Sequence, residues 1–370
     1  MARETAIKAG LALVGADLEV ERDLCITIDE GMIVEISRGS SCPLDHIGGP
    51  DIVVTPQPGL AHTHSGDHAF PEYGVEEELS RLVAPPHGLK HKKLQATPQS
   101  RIEDAITEYY RLAWRYGVGL LIDFREGGGE GCNLSKRAVE RTPEGLDVIV
   151  LGRPGPGFPD GCDGLGLSSP LDYDIDRLVE LVRSLRPAFT HVAETRAARL
   201  QGDLERALEA GFDAVIHGTH LSDSDLELLA EKEVALILCP RSNLWHGLGI
   251  PPVREALSRL DLVGLGSDNA SWMPPDPWRE AEAAMLLARL KGPSGEWLAD
   301  KILKSVYVVP YGIVGMRPKI VEEGAPANML LFDASDTGIL RAESVKYGLV
   351  KRIGRENIVA RVDWGEVSFV

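Results

Sequence analysis

Short apolar runs alternate with amphipathic stretches along most of this chain, and the pattern changes character twice. Residues 5–37 read as short strands (IKAGLALV, then CITIDEGMIVEIS), with CITI and MIVEI pairing as a β-hairpin around Asp29-Glu30-Gly31. Gly31 supplies the positive φ such a turn needs. From residue 50 onward, strand-like runs recur with helical segments between them. They are DIVVTPQPGLAHTH, LLIDFRE (120–126), LDVIVLG (146–152), the weaker CDGLGLSSP (162–170), PAFTHVAET (187–195), DAVIHGTH (213–220), VALILCPRSN (234–243) and DLVGLGSDN (261–269). Helical spacing of apolar residues appears in 101–116, 131–140, 173–186, 200–210, 223–232, 251–260 and 279–290. APANMLLFD (325–333) and residues 345–369 return to short strands.

About eight strand–helix units predict an α/β protein built as a (β/α)8 TIM barrel. An open doubly wound sheet of six or seven strands is the alternative, because the fourth run is poor. No GxGxxG follows a strand, and the glycines at 127, 128, 129 and 131 lack the lysine-serine ending of a phosphate loop. A nucleotide cofactor is not expected.

Composition narrows the setting. The 39 basic and 56 acidic side chains of 370 residues leave a formal net charge of -17, which disfavours nucleic-acid polymers and anionic lipid surfaces. The densest basic group, Lys90, Lys92 and Lys93 with His87 and His91, is too short to reverse that. No apolar run is long enough for a membrane span, and MARETAIKAG lacks the features of a signal peptide. A soluble, cytoplasmic protein is expected, with homo-oligomerisation open. Five dispersed cysteines without CxxC argue against a disulfide scaffold or a thiolate zinc site. Cys239, after VALIL, reads as a buried thiol.

The ionisable residues cluster where the strands end. His62 and His64 end the first, Asp123, Arg125 and Glu126 the second, and His191 and Glu194 the fifth. His217 and His220 end the sixth, Ser242 and Asn243 the seventh, and Asp268 the eighth. In a barrel these ends converge on one mouth. His62 and His64, one residue apart, share a side in extended backbone. With His191 and Asp268 they offer three nitrogens and one carboxylate to a divalent metal ion. Zinc suits that set best, and iron or manganese is chemically allowed.

PGLAHTH resembles the first-strand signature of the metal-dependent amidohydrolase superfamily. HVAET, HGTHLSD, CPRSNLWHGLGIPPV and GLGSDNAS follow in that family's order. The resemblance is nearest to the branch of cytosine, guanine and adenosine-type deaminases and chlorohydrolases. It implies a small β-sandwich formed by both chain ends, hence segments 1–52 and 325–370 flanking a barrel at 53–324. It also implies that His62, His64, His191 and Asp268 are metal ligands, that Glu194 moves protons and that His217 faces substrate and water. The fourth strand end has no lysine, so one metal ion is expected.

The same chemistry follows from the residue types. A metal lowers the pKa of water, Asp268 takes its proton, His217 steadies the developing oxyanion, and Glu194 protonates a ring nitrogen and then the departing amine. The resulting expectation is hydrolysis of a non-peptide carbon–nitrogen bond, as deamination of a small heterocyclic amine. A cyclic or acyl amide hydrolase is the alternative, and an inactive barrel used as an interaction scaffold is the third reading. Arg125 is a candidate for a substrate carboxylate or carbonyl, unless it pairs with Glu126 or Asp123. Asn243 shapes the seventh loop and contacts substrate. Trp245 and His246 are placed over the mouth, where an indole could stack on a planar ring or simply pack in the core.

Overall fold

The computed structural model describes residues 5–39, 42–43, 45–83 and 87–369; the outermost residues of the expected flanking segments, 1–4 and 370, lie outside that range. Four strands open the chain: β1 (Thr5–Val14), β2 (Glu19–Asp29), β3 (Met32–Arg38) and β4 (Ile47–Pro56). The expected hairpin is present, with β2 and β3 antiparallel and Asp29 opposite Met32. Glu30 and Gly31 both take positive φ, 46° and 80°, the handedness that matches strand twist in a two-residue turn.

The barrel strands follow: β5 (Gly59–His64), β6 (Leu120–Arg125), β7 (Asp147–Gly152), β8 (Gly164–Leu167), β9 (Ala188–Val192), β10 (Ala214–His217), β11 (Ala235–Leu238), β12 (Val263–Leu265) and β13 (Asp268–Asn269). Their pairings are parallel in sequence order from β5 to β12, including the weak fourth unit at β8. β12 and β13 are two pieces of one passage. Val263–Leu265 pairs with β11, whereas Asp268–Asn269 pairs with β5, so the eighth passage closes the ring. Gly266, between the pieces, runs against β5: a Cβ there would lie 2.7 Å from the His62 Cβ and 2.9 Å from its carbonyl oxygen. Only glycine lets strand eight pass this close to the first histidine.

The strands are short and buried on both sides, as parallel strands covered by helices must be. Ala61, Ile122, Phe124, Phe189, Ala214, Ile216 and Ile237 fill the interior, while Val215, Leu236 and Leu238 point to the helical layer. The helices fall near their expected positions, among them Gln99–Arg115, Gly128–Glu140, Asp223–Glu231 and Pro277–Arg289. Ser222 caps Asp223–Glu231 through a reciprocal box with Asp225.

β14 (Met329–Asp333), β15 (Ile358–Asp363) and β16 (Glu366–Phe369) join the opening strands in one seven-stranded sheet ordered β16-β15-β14-β4-β1-β2-β3. This sheet has its own apolar cluster, including Ile7, Ile26, Val54, Leu331 and Val362. β4 runs through the expected 52/53 division and hands the chain directly to β5. Two expectations need correction. Residues 345–352, expected as strand, form a helix, Val345–Arg352, capped by Ser344; its apolar residues pack on the helical layer instead of pairing. Disulfides were not expected, yet Cys25–Cys42 and Cys132–Cys162 are bonded, with Cα separations of 5.5 and 5.2 Å. Their partners lie 17 and 30 residues apart and are brought together by folding, which spacing alone does not reveal. Cys239 is the buried free thiol expected. Among the described residues, no helix is long and apolar enough to cross a membrane.

Candidate metal and catalytic site

The C-terminal ends of β5, β9 and β13 bring His62, His64, His191 and Asp268 together, with one ligand atom of each within 4.8 Å of the others. His62 Nε2 lies 3.4 Å and His64 Nε2 3.7 Å from Asp268 Oδ1. A register shift between Leu60 and Thr63 in the β5–β6 pairing reshapes this strand end, as bulges do beside sites. His191 Nδ1 donates to the Leu167 carbonyl at 2.8 Å. A carbonyl can only accept, so this bond fixes the tautomer with the proton on Nδ1 and leaves the Nε2 lone pair free to bind a metal.

His62 supplies the test of fit. Its side chain is fully buried, and neither ring nitrogen has a hydrogen-bond partner. Buried polar atoms are ordinarily paired; an imidazole left without a partner among two histidines and a carboxylate suits a cation. Charge states agree. Burial pushes His62 down to about 3 against the pull of Asp268. Burial and neighbouring histidines hold His191 well below its usual value. Burial works to raise Asp268, but the facing histidine nitrogens hold it well below the carboxylate range. Neutral imidazoles and an ionised carboxylate are the forms a divalent ion requires.

Two site residues leave their strands in left-handed backbone: His217 at φ 73° and Asp268 at φ 63°. Such conformations cost a non-glycine residue roughly 1–3 kcal/mol and gather at functional sites. His217 Nδ1 donates to Asn243 Oδ1 at 2.9 Å, and Asn243 Nδ2 donates to Thr219 Oγ1 at 2.6 Å, which sets the amide's orientation. His217 Nε2 then faces Glu194 Oε1 at 3.6 Å. Ser242 Oγ donates to Asp268 Oδ2 at 2.5 Å, leaving Oδ1 toward the histidines. Glu194 keeps 22% side-chain exposure because it borders a cavity of about 220 Å³. Burial, reinforced by Asp268, raises its pKa against the opposing effect of His217.

His64, His191, Glu194, His217, His246 and Asp268 all line this cavity. Asn243 does not; it is buried and acts on His217 instead. Trp245 is also elsewhere, ending the helix Pro240–Trp245 with 51% exposure. Trp272 supplies the aromatic wall, edge-on to His246 at 4.7 Å between ring centroids. Asp123 is a structural carboxylate, accepting from Ser65 N and Oγ, Tyr110 Oη and Ser135 Oγ. Arg125 lies 3.8 Å from Glu126 and lines a neighbouring cavity.

One group escaped the sequence reading. Lys90, named there only as part of the densest basic group, is 3% exposed. Its Nζ sits 2.7 Å from Asp67 Oδ2, 2.5 Å from Glu126 Oε1 and 3.3 Å from His64 Nδ1. Burial opposes the charge, but the two carboxylates raise its pKa. Glu126, held well below its usual value by Lys90 against burial, lies 3.5 Å from His64 Nδ1. Glu126 and Lys90 together hold the Nδ1 edge of the ring, so that Nε2 faces the metal position. Only the helix Leu89–Ala96 folding over the mouth could reveal this; HGLKHKK carries no spacing that does.

Residues 186–356 match the family model described as Amidohydrolase family. A protein of Methanothermobacter thermautotrophicus, provisionally named an aminohydrolase, is 29% identical over 355 residues, covering 88% of this chain and 91% of that one. A 5-methylthioadenosine/S-adenosylhomocysteine deaminase of Pyrococcus furiosus is 32% identical over 119 residues, 32% of this chain and 28% of that one. Among solved structures, an adenosine deaminase of Xanthomonas campestris with bound zinc matches with a TM-score of 0.77 over 99% of this chain and 93% of that one. At 16% identity this last is a likeness of fold.

Proposed function

We propose that this chain, which carries an amidohydrolase-family domain and is a metal-dependent hydrolytic enzyme, deaminates a small heterocyclic amine. The observation that carries the reading is Glu194: a carboxyl of raised pKa beside the metal ligands, 3.6 Å from His217 and open to the cavity. His62, His64, His191 and Asp268 would hold one divalent ion, with zinc the proposed occupant. Such an ion supplies the Lewis acidity that makes water a nucleophile near neutral pH.

The protein groups account for the proton movements. Asp268 Oδ1 accepts a proton from the attacking water while Ser242 holds Oδ2. Water oxygen bonds to the ring carbon that carries the amine, and Glu194 gives its proton to the adjacent ring nitrogen. His217, oriented through Asn243, stabilises charge on the added oxygen. The proton held by Asp268 then passes to the amine, the hydroxyl proton of the adduct returns to Glu194, the carbon–nitrogen bond breaks, and ammonia and the ring carbonyl are formed. The seven-stranded sheet, with its separate apolar cluster, is our candidate for the small sandwich; because β4 belongs to it whole, the first division falls just past the expected 52/53, after Pro56, and the second near 324/325.

The test is ammonia release from purines, pyrimidines and pterins by zinc-loaded protein. Glu194→Gln should reduce kcat by roughly 10²–10⁴-fold with zinc content unchanged. Ring opening without ammonia would move the assignment to a cyclic amide hydrolase. Full turnover by the Gln variant would remove Glu194 from the proton path.

A further inference from the structure

Beside the reaction cavity lies a second one of about 430 Å³ that shares His91 and Glu126 as walls. Arg125 and Arg153 both line it. Arg125 ends β6 and is only 3% exposed, and its Nε and Nη1 have no hydrogen-bond partner. The nearest carboxylate oxygen, Glu126 Oε2, lies 3.8 Å from Nη1, beyond hydrogen-bond distance, while Lys90 engages the other oxygen, Oε1, at 2.5 Å. Arg153 has one long contact, 3.4 Å to Asp172. A buried guanidinium with two of its nitrogens unpaired and its counter-charge beyond hydrogen-bond distance is costly.

The surroundings keep that guanidinium in place. A Cβ on Gly66 would lie 2.0 Å from Arg125 Nη1, so the bare glycine makes room for it. The helix Gly128–Glu140 begins at the same wall, and its cap, Gly127, offers no side chain to the first-turn N–H groups. That helix end adds positive potential. Glu130, in the first turn, is the exposed acidic residue of the wall.

We propose that this second cavity is a subsite for an oxyanion substituent, carboxylate or phosphoryl, on the substrate. The substrate class becomes a heterocyclic amine carrying an anionic arm, with the ring at the metal position and the arm reaching past Glu126 to Arg125. This rests on the deaminase reading of the adjoining cavity.

Benzoate, phenyl phosphate and neutral benzamide serve as probes in titrations of zinc-loaded protein, repeated after chelation. At least one anion should bind ten-fold or more tightly than benzamide; whichever anion is preferred identifies the arm. Arg125→Met should abolish that preference. Gly66→Ala, which displaces the guanidinium and leaves its charge, should weaken it several-fold. Circular dichroism and zinc content identify variants that remain folded, and Arg153→Met gives a second route, with a smaller loss of preference. Equal binding of anions and benzamide, or anion binding unchanged in Arg125→Met, would overturn the proposal. So would anion binding that disappears on chelation yet survives Arg125→Met, since the metal would then be the anion's ligand. Absence of retained zinc or of ammonia release would instead count against the deaminase reading, leaving the Arg125 comparison intact.

Discussion

Lys90 and His62 illustrate what a residue's surroundings add to its identity. His62 stood out in the sequence as a candidate ligand because HxH at a strand end is a ligand spacing and His191 and Asp268 end other strands of the same expected barrel. Lys90 did not, since nothing in HGLKHKK distinguishes a solvated lysine from one held 2.5 Å from Glu126. Its effect on the site runs through Glu126 and His64, so Lys90→Met should weaken zinc retention about 10- to 100-fold, the usual scale for groups that orient ligands. Competition with a chromogenic chelator measures this. An unchanged zinc affinity in a folded variant would reduce Lys90 to packing. Trp245 shows the reverse: its sequence context placed it near the mouth, but the turn of the Pro240–Trp245 helix carries it into solvent.

At the scale of elements, periodicity recovered the order of the strands and seven of the helices, because each buries one side or both. It missed Leu89–Ala96 and Trp297–Tyr307 as well as Val345–Arg352, whose eight residues are too short to show a clear period. The helix Pro277–Arg289 carries an element-scale test in Glu280. This residue is fully buried, 3.2 Å from Arg241 in the helix Pro240–Trp245. Burial pushes its pKa up to about 8, with Arg241 opposing. A carboxyl raised in the fold above its ordinary 4.5 contributes stability that is fully present below the unfolded value and is lost as pH rises through the folded one. The wild type should therefore lose ground to Glu280→Gln between about pH 5 and 8, by at most about 1.4 kcal/mol per pH unit. Urea denaturation of both proteins across that range reads the difference. A pH-independent gap would mean that Glu280 stays ionised against Arg241.

For the whole molecule, metal and fold should be linked. An ion that binds the assembled ligands and not the unfolded chain stabilises by about 2.7 kcal/mol at a hundred times its Kd. Chelation should lower Tm by several degrees, and His62→Ala should make Tm insensitive to zinc. Equal Tm with and without zinc in the wild type would separate the fold from the metal. By itself, the sequence determined the number and order of the strand–helix units, the residues at their ends and hence the ligand types, because burial periodicity and side-chain chemistry are local. Tertiary structure decided which ends meet: closure through Gly266 sets Asp268 beside His62, the mouth helix delivers Lys90, and folding pairs the cysteines. It also left Arg125 Nε and Nη1 without an acceptor. These are relations between residues tens to hundreds of positions apart, fixed by packing in three dimensions and carried by no local pattern.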